Sequence, residues 1–328
     1  MLMSIIVVLL ALAIAVLAIE YGQKRSFSSW LLEKMFDYRK YKLSKKPDNY
    51  EGIETQRRRR IPYHLDNPEA VLGIPTTEHT IDGMQVFVIN DQDSQDQPVI
   101  YYLYGSVYLR RPETFHFKTI KHLIRLTNAK LVFPNFEKAP YATYKEVYPK
   151  LAKAYKDFCL SSGAAKVSII GDSSGGGMAL ALAQYLRDTQ MAPQPKQLIL
   201  LSPWLDVSFA NQDYKHFEAV EAYLDARRLR DIGELWAGSL EEMQSPYVSP
   251  LYGDYHDLPK IVTFVGTKEI FYPDIITLHE RLTEQGHLNQ LIIAEQMIHA
   301  YAIFPIREAR QAQRQIAELV KKKSDLPP

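Results

Sequence analysis

The sequence predicts an α/β fold, with a mostly parallel sheet covered by helices on both faces. Three observations carry this. Strand-like and helix-like patterns alternate from about residue 79 to the end of the chain. The run at 99–103 is continuously apolar, as a strand buried on both faces must be. A second apolar run, ending at Ile170, breaks at glycine and passes straight into a helical pattern. At 328 residues the chain can bury a large core, and its length allows one large or two ordinary domains.

Taken in order, residues 1–19 carry no charge and one polar side chain. As a helix they would extend roughly 28 Å, about the thickness of a hydrocarbon core. Residues 1–20 therefore read as a transmembrane anchor. A cleaved signal peptide is the rival, but the positive n-region is missing and the apolar run is long for one. Between residues 21 and 60 there are twelve Lys or Arg against five Asp or Glu. By the positive-inside tendency this flank, and the domain behind it, are expected on the cytoplasmic side, with the bilayer as a partner. A nucleic-acid role is not expected, because the net charge is only +1 and no recognition motif accompanies the Arg57–Arg60 run. Cys159 is the only cysteine, so no intrachain disulfide can form, in agreement with a reducing compartment.

Residues 29–43 have apolar side chains at helical spacing and read as an amphipathic helix. Residues 79–81 and 84–89 read as strands about an Asp82-Gly83 turn. Then come a strand at 99–103, a helix at 115–126, a strand at 130–136, a helix at 144–159 and a strand at 166–170. The helix expected at 178–188 is followed by strands at 197–201 and 261–265, a helix at 274–285, a strand at 290–294 and a final helix at 306–322. More than fifty residues separate Pro203 from Pro259, with a helical pattern at 222–237. An excursion of that size between strands reads as a lid or cap.

The chain is organised around Gly171-Asp172-Ser173-Ser174-Gly175. A G-x-S-x-G pentapeptide gains meaning when a strand precedes it and a helix follows, and both patterns are present. The turn then exposes Ser173 with a helix amino end beneath it, which favours developing negative charge. A serine at neutral pH needs a base, and the base an orienting acid. In this topology the partners follow in the order Ser, acid, His, on loops after later strands. Of the nine histidines only His299 lies just beyond the last strand. Two carboxylates follow the strand at 261–265. Glu269 lies in the turn and is preferred as the acid; Asp274 falls in a first helical turn, where a negative charge is favourable without any catalytic role.

The stretches Gly171-Asp172-Ser173-Ser174-Gly175-Gly176, Ser202-Pro203-Trp204-Leu205-Asp206, Ser249-Pro250-Leu251-Tyr252, Gly266-Thr267-Lys268-Glu269 and Met297-Ile298-His299 resemble, in order and spacing, the hormone-sensitive-lipase-like bacterial esterases of the α/β-hydrolase fold. The resemblance covers about residues 60–320. It implies an eight-stranded core and a hydrolase domain over 21–328, with a helical cap from about 21–75 and 205–250. It also implies hydrolysis of a small-molecule carboxylic ester, of acetyl or short-acyl type, without metal or cofactor. The family carries His-Gly-Gly-Gly or His-Gly-Gly-Ala after an early strand, and backbone N–H groups there stabilise the oxyanion. Here the aligned residues are Tyr104-Gly105-Ser106-Val107, so Ser106, Val107 and Ser174 are the candidate donors. A valine resists the backbone conformations that glycine permits. The alternative reading is accordingly a catalytically weak or inactive hydrolase fold that binds a small apolar ligand or a membrane partner.

Overall fold

The computed structural model describes residues 7, 14, 16–44 and 64–322. Most of the apolar stretch read as a transmembrane anchor, and the Arg57–Arg60 run, lie outside the described residues. Among the described residues no helix is long and apolar enough to cross a membrane.

After α1 (Phe27–Ser44) and a single turn at Glu69–Leu72, the body begins with the hairpin β1 (Thr76–Ile81) and β2 (Met84–Ile89). Asp82 and Gly83 at its tip both have positive φ, 48° and 86°, the backbone that a two-residue hairpin with native twist requires. Next come β3 (Val99–Leu103), α2 (Thr114–Thr127), β4 (Lys130–Asn135), α3 (Tyr144–Cys159), β5 (Val167–Asp172), α4 (Ser174–Thr189) and β6 (Gln197–Leu201). The excursion holds α5 (Tyr214–Glu218) and α6 (Ala226–Ala237), and β7 (Lys260–Lys268), α7 (Tyr272–Glu284), β8 (Asn289–Ile298) and α8 (Arg307–Lys321) complete the chain. The eight strands lie in the order β1-β2-β4-β3-β5-β6-β7-β8. The pairs β1/β2 and β2/β4 are antiparallel and the others parallel.

Every residue of β3, β5 and β6 is buried, as central strands covered on both faces should be. Their carboxyl ends lie side by side, with Leu103 paired to Gly171 and Asp172 to Leu201, so the loops after them converge.

Several elements depart from the sequence expectation. β1 starts at Thr76 rather than 79, because as an edge strand it is exposed along its middle and carries no apolar run. β7 continues through Gly266 to Lys268, and β8 to Ile298, with a register shift between Gly266 and Lys268. Gly266 is not a strand end. A Cβ there would lie 2.2 Å from the Met297 carbonyl oxygen, so it is where the two strands approach most closely. α4 begins at Ser174, and the glycines at 175–177 form its first turn. Added Cβ atoms on Gly175 and Gly177 would lie 2.0 Å from the Leu103 oxygen and 2.1 Å from the Trp204 oxygen. Close packing of the helix end on neighbouring backbone therefore overrides the low helix propensity of glycine.

α1 docks against the 203–259 excursion and the loop after β8. Phe36 packs on Tyr223 and Phe304, with ring centroids 4.6 and 5.5 Å apart, and Lys40 Nζ donates to the Glu221 carbonyl at 2.8 Å.

Candidate active site

Ser173 stands between the end of β5 and the first residue of α4 with φ 53° and ψ −123°, a conformation that L-residues avoid. The neighbours over-determine it. Its N–H donates to the Leu201 carbonyl, its own carbonyl accepts from the N–H groups of Gly176, Gly177 and Trp204, and a Cβ on Gly171 would lie 2.2 Å from the Gly175 oxygen. The strand-to-helix turn is thus locked from both sides, with the Ser173 side chain at its apex.

His299 follows β8 directly. Its Nε2 lies 2.9 Å from Ser173 Oγ and its Nδ1 2.6 Å from Glu269 Oε2. An ionised carboxylate only accepts, so Nδ1 carries the proton and the Nε2 lone pair faces the serine hydroxyl. Glu269 is fully buried, which pushes its carboxyl above the ordinary range, while its bond to His299 pulls the other way. Its second oxygen, Oε1, accepts from Gly266 N–H at 2.7 Å and Ser202 Oγ at 2.9 Å. Phe271 meets the imidazole edge-on at 5.0 Å, and the Tyr223 hydroxyl donates to the His299 carbonyl at 2.9 Å. The structure brings Glu269, not Asp274, to the histidine. Asp274 sits in the first turn of α7, where its Oδ1 accepts from Asn211 Nδ2 at 3.1 Å.

The sequence places Ser202 in one of the stretches that carry the resemblance but gives it no role of its own. Its hydroxyl accepts from Ala300 N–H at 3.0 Å and donates to Glu269, which ties the acid loop to the histidine loop. His116 lies upstream of the serine, where the chain order of the partners gives it no role. Glu113 N–H donates to its Nδ1 at 2.9 Å, so its Nε2–H is the donor toward Asp172 Oδ2 at 3.3 Å. Tyr102 donates to the other oxygen of Asp172 at 2.9 Å. The residue before Ser173 is therefore clamped between two partners from other elements. No spacing rule joins these residues, and only the strand order brings them together.

The loop after β3 adopts the geometry that its sequence resists. Val107 and Tyr108 have φ of 45° and 56°, and a Cβ on Gly105 would lie 2.3 Å from Asp172 Oδ2. Tyr104, standing where the family has histidine, is buried, stacked on Phe133 at 5.0 Å and hydrogen-bonded to Asn135 at 3.1 Å. Of the three N–H groups expected to face an oxyanion, that of Ser106 donates to Ser174 Oγ at 3.0 Å. The cause is proximity, since Ser174 opens α4 directly beneath this loop. Among the described residues, the N–H groups of Val107 and Ser174 have no protein acceptor.

Residues 100–303 match the family described by the alpha/beta hydrolase fold. The chain belongs to that family. Among hydrolase-fold relatives it is 28% identical over 235 residues to a triacylglycerol lipase of Mycobacterium tuberculosis, covering 71% of this chain and 48% of the lipase. It is 27% identical over 194 residues to an acetyl-hydrolase of Streptomyces hygroscopicus, covering 58% of this chain and 64% of that protein. The chain thus spans about half the length of the first relative and under two thirds of the second. The structure of an esterase-like protein from Staphylococcus aureus superposes with a TM-score of 0.78 at 25% identity, over 85% of this chain and 95% of that one. An esterase of the bacterial hormone-sensitive-lipase family shares the hydrolase fold, with a TM-score of 0.68 at 24% identity over 85% and 99% of the two chains.

A cleft of about 250 Å³ opens over Ser173 and His299. Phe36 of α1, Leu229 and Ile232 of α6, and Ile303 and Phe304 after β8 give it apolar walls. Among the described residues, no three His, Cys, Asp or Glu side chains are grouped as metal ligands would be.

Proposed function

We propose that this chain is a serine esterase that hydrolyses carboxylic esters through Ser173, His299 and Glu269. The hydrogen-bonded chain from Ser173 Oγ through the imidazole to a fully buried carboxylate carries the reading. Ser173 Oγ attacks the ester carbonyl carbon as Nε2 takes its proton. The imidazolium is stabilised by Glu269 and returns the proton to the departing alcohol, leaving an acyl-Ser173 ester. Water, deprotonated by Nε2, then attacks that ester; the acyl–Oγ bond breaks, the imidazolium returns the proton to Ser173 Oγ, and the carboxylic acid is released. The Val107 and Ser174 N–H groups face the developing oxyanion, and positive φ at Val107 is a backbone strain of order 1–3 kcal/mol accepted at the site. A binding-only protein is not favoured, because such a fold has no use for an oriented base beside a strained serine.

In this reading α1 and the 203–259 excursion form the cap over the cleft, and acyl esters enter between them. The relatives named lipase, acetyl-hydrolase and esterase support the substrate class. Residues 1–20 serve as a membrane anchor with the catalytic domain on the cytoplasmic side, a reading supported by the absence of charge from residues 1–19 and by the basic flank that follows. The test is a series of p-nitrophenyl esters of increasing acyl length, assayed with the wild type and Ser173→Ala. Turnover that disappears in the variant is expected; equal turnover by both proteins refutes the assignment.

A further inference from the structure

The cleft is apolar along its walls and cationic at its mouth. Arg39 and Lys40 reach it from α1, Arg110 and Arg111 from the loop after β3, and Arg228 from α6. Three segments far apart in sequence thus converge their cations on one opening, in a chain whose net charge is only +1. Among the described residues, the acids lining the same cleft form no ion pair with Arg39, Arg110 or Arg228. Asp172 is buried and bound by Tyr102 and His116, while Asp225 Oδ1 accepts from Arg228 N–H at 3.0 Å as the cap of α6. Glu113 remains the one further carboxylate. Among the described residues no carboxylate forms an ion pair with Arg39, Arg110 or Arg228, and all three are exposed.

A concave opening with low-dielectric walls focuses the field of such charges, and guanidinium groups match carboxylate and phosphate oxygens in pairs. Resting on the esterase reading above, we infer that the site selects esters carrying an anionic group, a carboxylate or a phosphate. The anion sits at the mouth, and an apolar stretch lies between it and the carbonyl at Ser173. The group can belong to a free small molecule or to a lipid headgroup, and the chemistry of recognition is the same.

The test uses matched pairs on the full chain. Mono-p-nitrophenyl suberate against p-nitrophenyl octanoate places the anion on the acyl side, and p-carboxyphenyl butyrate against p-carbamoylphenyl butyrate places it on the alcohol side. In at least one pair kcat/KM is expected to favour the anion. The ratio should fall about tenfold in R39Q/R110Q/R228Q, and also in about 0.5 M NaCl. Because a ratio is read, loss of folded enzyme cancels. Ratios at or below one in both pairs, or a ratio indifferent to the triple substitution, overturn the inference. Fatty-acid release from phosphatidylglycerol vesicles in preference to phosphatidylcholine, lost in the triple variant, assigns the anion to a headgroup; a preference confined to the soluble pairs assigns it to a free molecule. If no ester is hydrolysed the esterase reading fails, and calorimetric binding of mono-p-nitrophenyl suberate to Ser173→Ala then decides the anion alone. Binding about tenfold weaker when the three arginines are also replaced supports it, and equal binding refutes it.

Discussion

Glu269 and Asp274 stand five residues apart, and burial has different consequences for them. Glu269 is compensated by His299, Ser202 and the Gly266 N–H, so it can hold the imidazole in the tautomer that leaves Nε2 free. Glu269→Gln presents an amide that can donate to Nδ1 and invert that tautomer. It should lower kcat by about three orders of magnitude with little change in KM, measured on a p-nitrophenyl ester. Asp274 lacks such compensation. Burial first, then the neighbouring Asp206 and Asp213, push its carboxyl up to about 7 against the opposing Asn211 bond and Arg281. A folded pKa raised above the unfolded value means that the native state holds the extra proton between about pH 4 and about pH 7. Stability therefore falls as pH rises through that window. Asp274→Asn keeps an oxygen for Asn211 and should flatten this dependence in thermal melts at pH 5 and pH 8 while leaving kcat nearly unchanged. A large loss of kcat in that variant instead would move the acid role to Asp274. Ser174 offers a third residue-scale test. Its hydroxyl occupies the Ser106 N–H. Ser174→Ala frees that donor and should raise kcat about tenfold, a fraction of what a whole oxyanion donor is worth; a fall in kcat would show the hydroxyl itself to be the donor.

At the scale of elements, α1 is held to the body by a buried network. Glu33 is paired with Arg25 and, at 2.6 Å, with Lys268, the residue before Glu269. Despite its burial, those two cations hold its carboxyl below the usual range. The Ser26 N–H and hydroxyl donate to Glu308 at 2.6 and 2.7 Å. A truncation at residue 19 spares these ties, whereas one at residue 25 leaves Glu33 buried with one cation fewer. The longer deletion should cost about 3 kcal/mol more stability in urea titrations than the shorter. Equal stability of the two would show α1 to be loosely attached. Element identity was largely legible in the sequence because β3 is continuously apolar, β5 and β6 are mostly so, and α2, α3 and α8 keep helical periodicity. Element ends were not. Gly266 and Gly175–Gly177 look like terminators locally, and only the backbones that press on them explain why the strand and the helix run through.

For the whole molecule, Ser173, Glu269 and His299 could be read from one chain because hydrolase topology fixes their order on successive loops. Ser202, His116 and Tyr102 could not, since each acts through a partner on another element: the pairing of β3 with β5 brings Tyr102 to Asp172, and that of β6 with β7 brings Ser202 to Glu269. The cationic mouth was invisible for the same reason: its arginines come from three segments that meet only in the folded chain. All of these contacts serve one claim, that Ser173 is an activated nucleophile. Fluorophosphonate labelling of the full chain, read by intact and peptide mass spectrometry, tests it most directly. A single adduct on Ser173, abolished in Ser173→Ala and slowed by orders of magnitude in His299→Ala, is the predicted result; an unlabelled wild type, or full-rate labelling that survives either substitution, would contradict it.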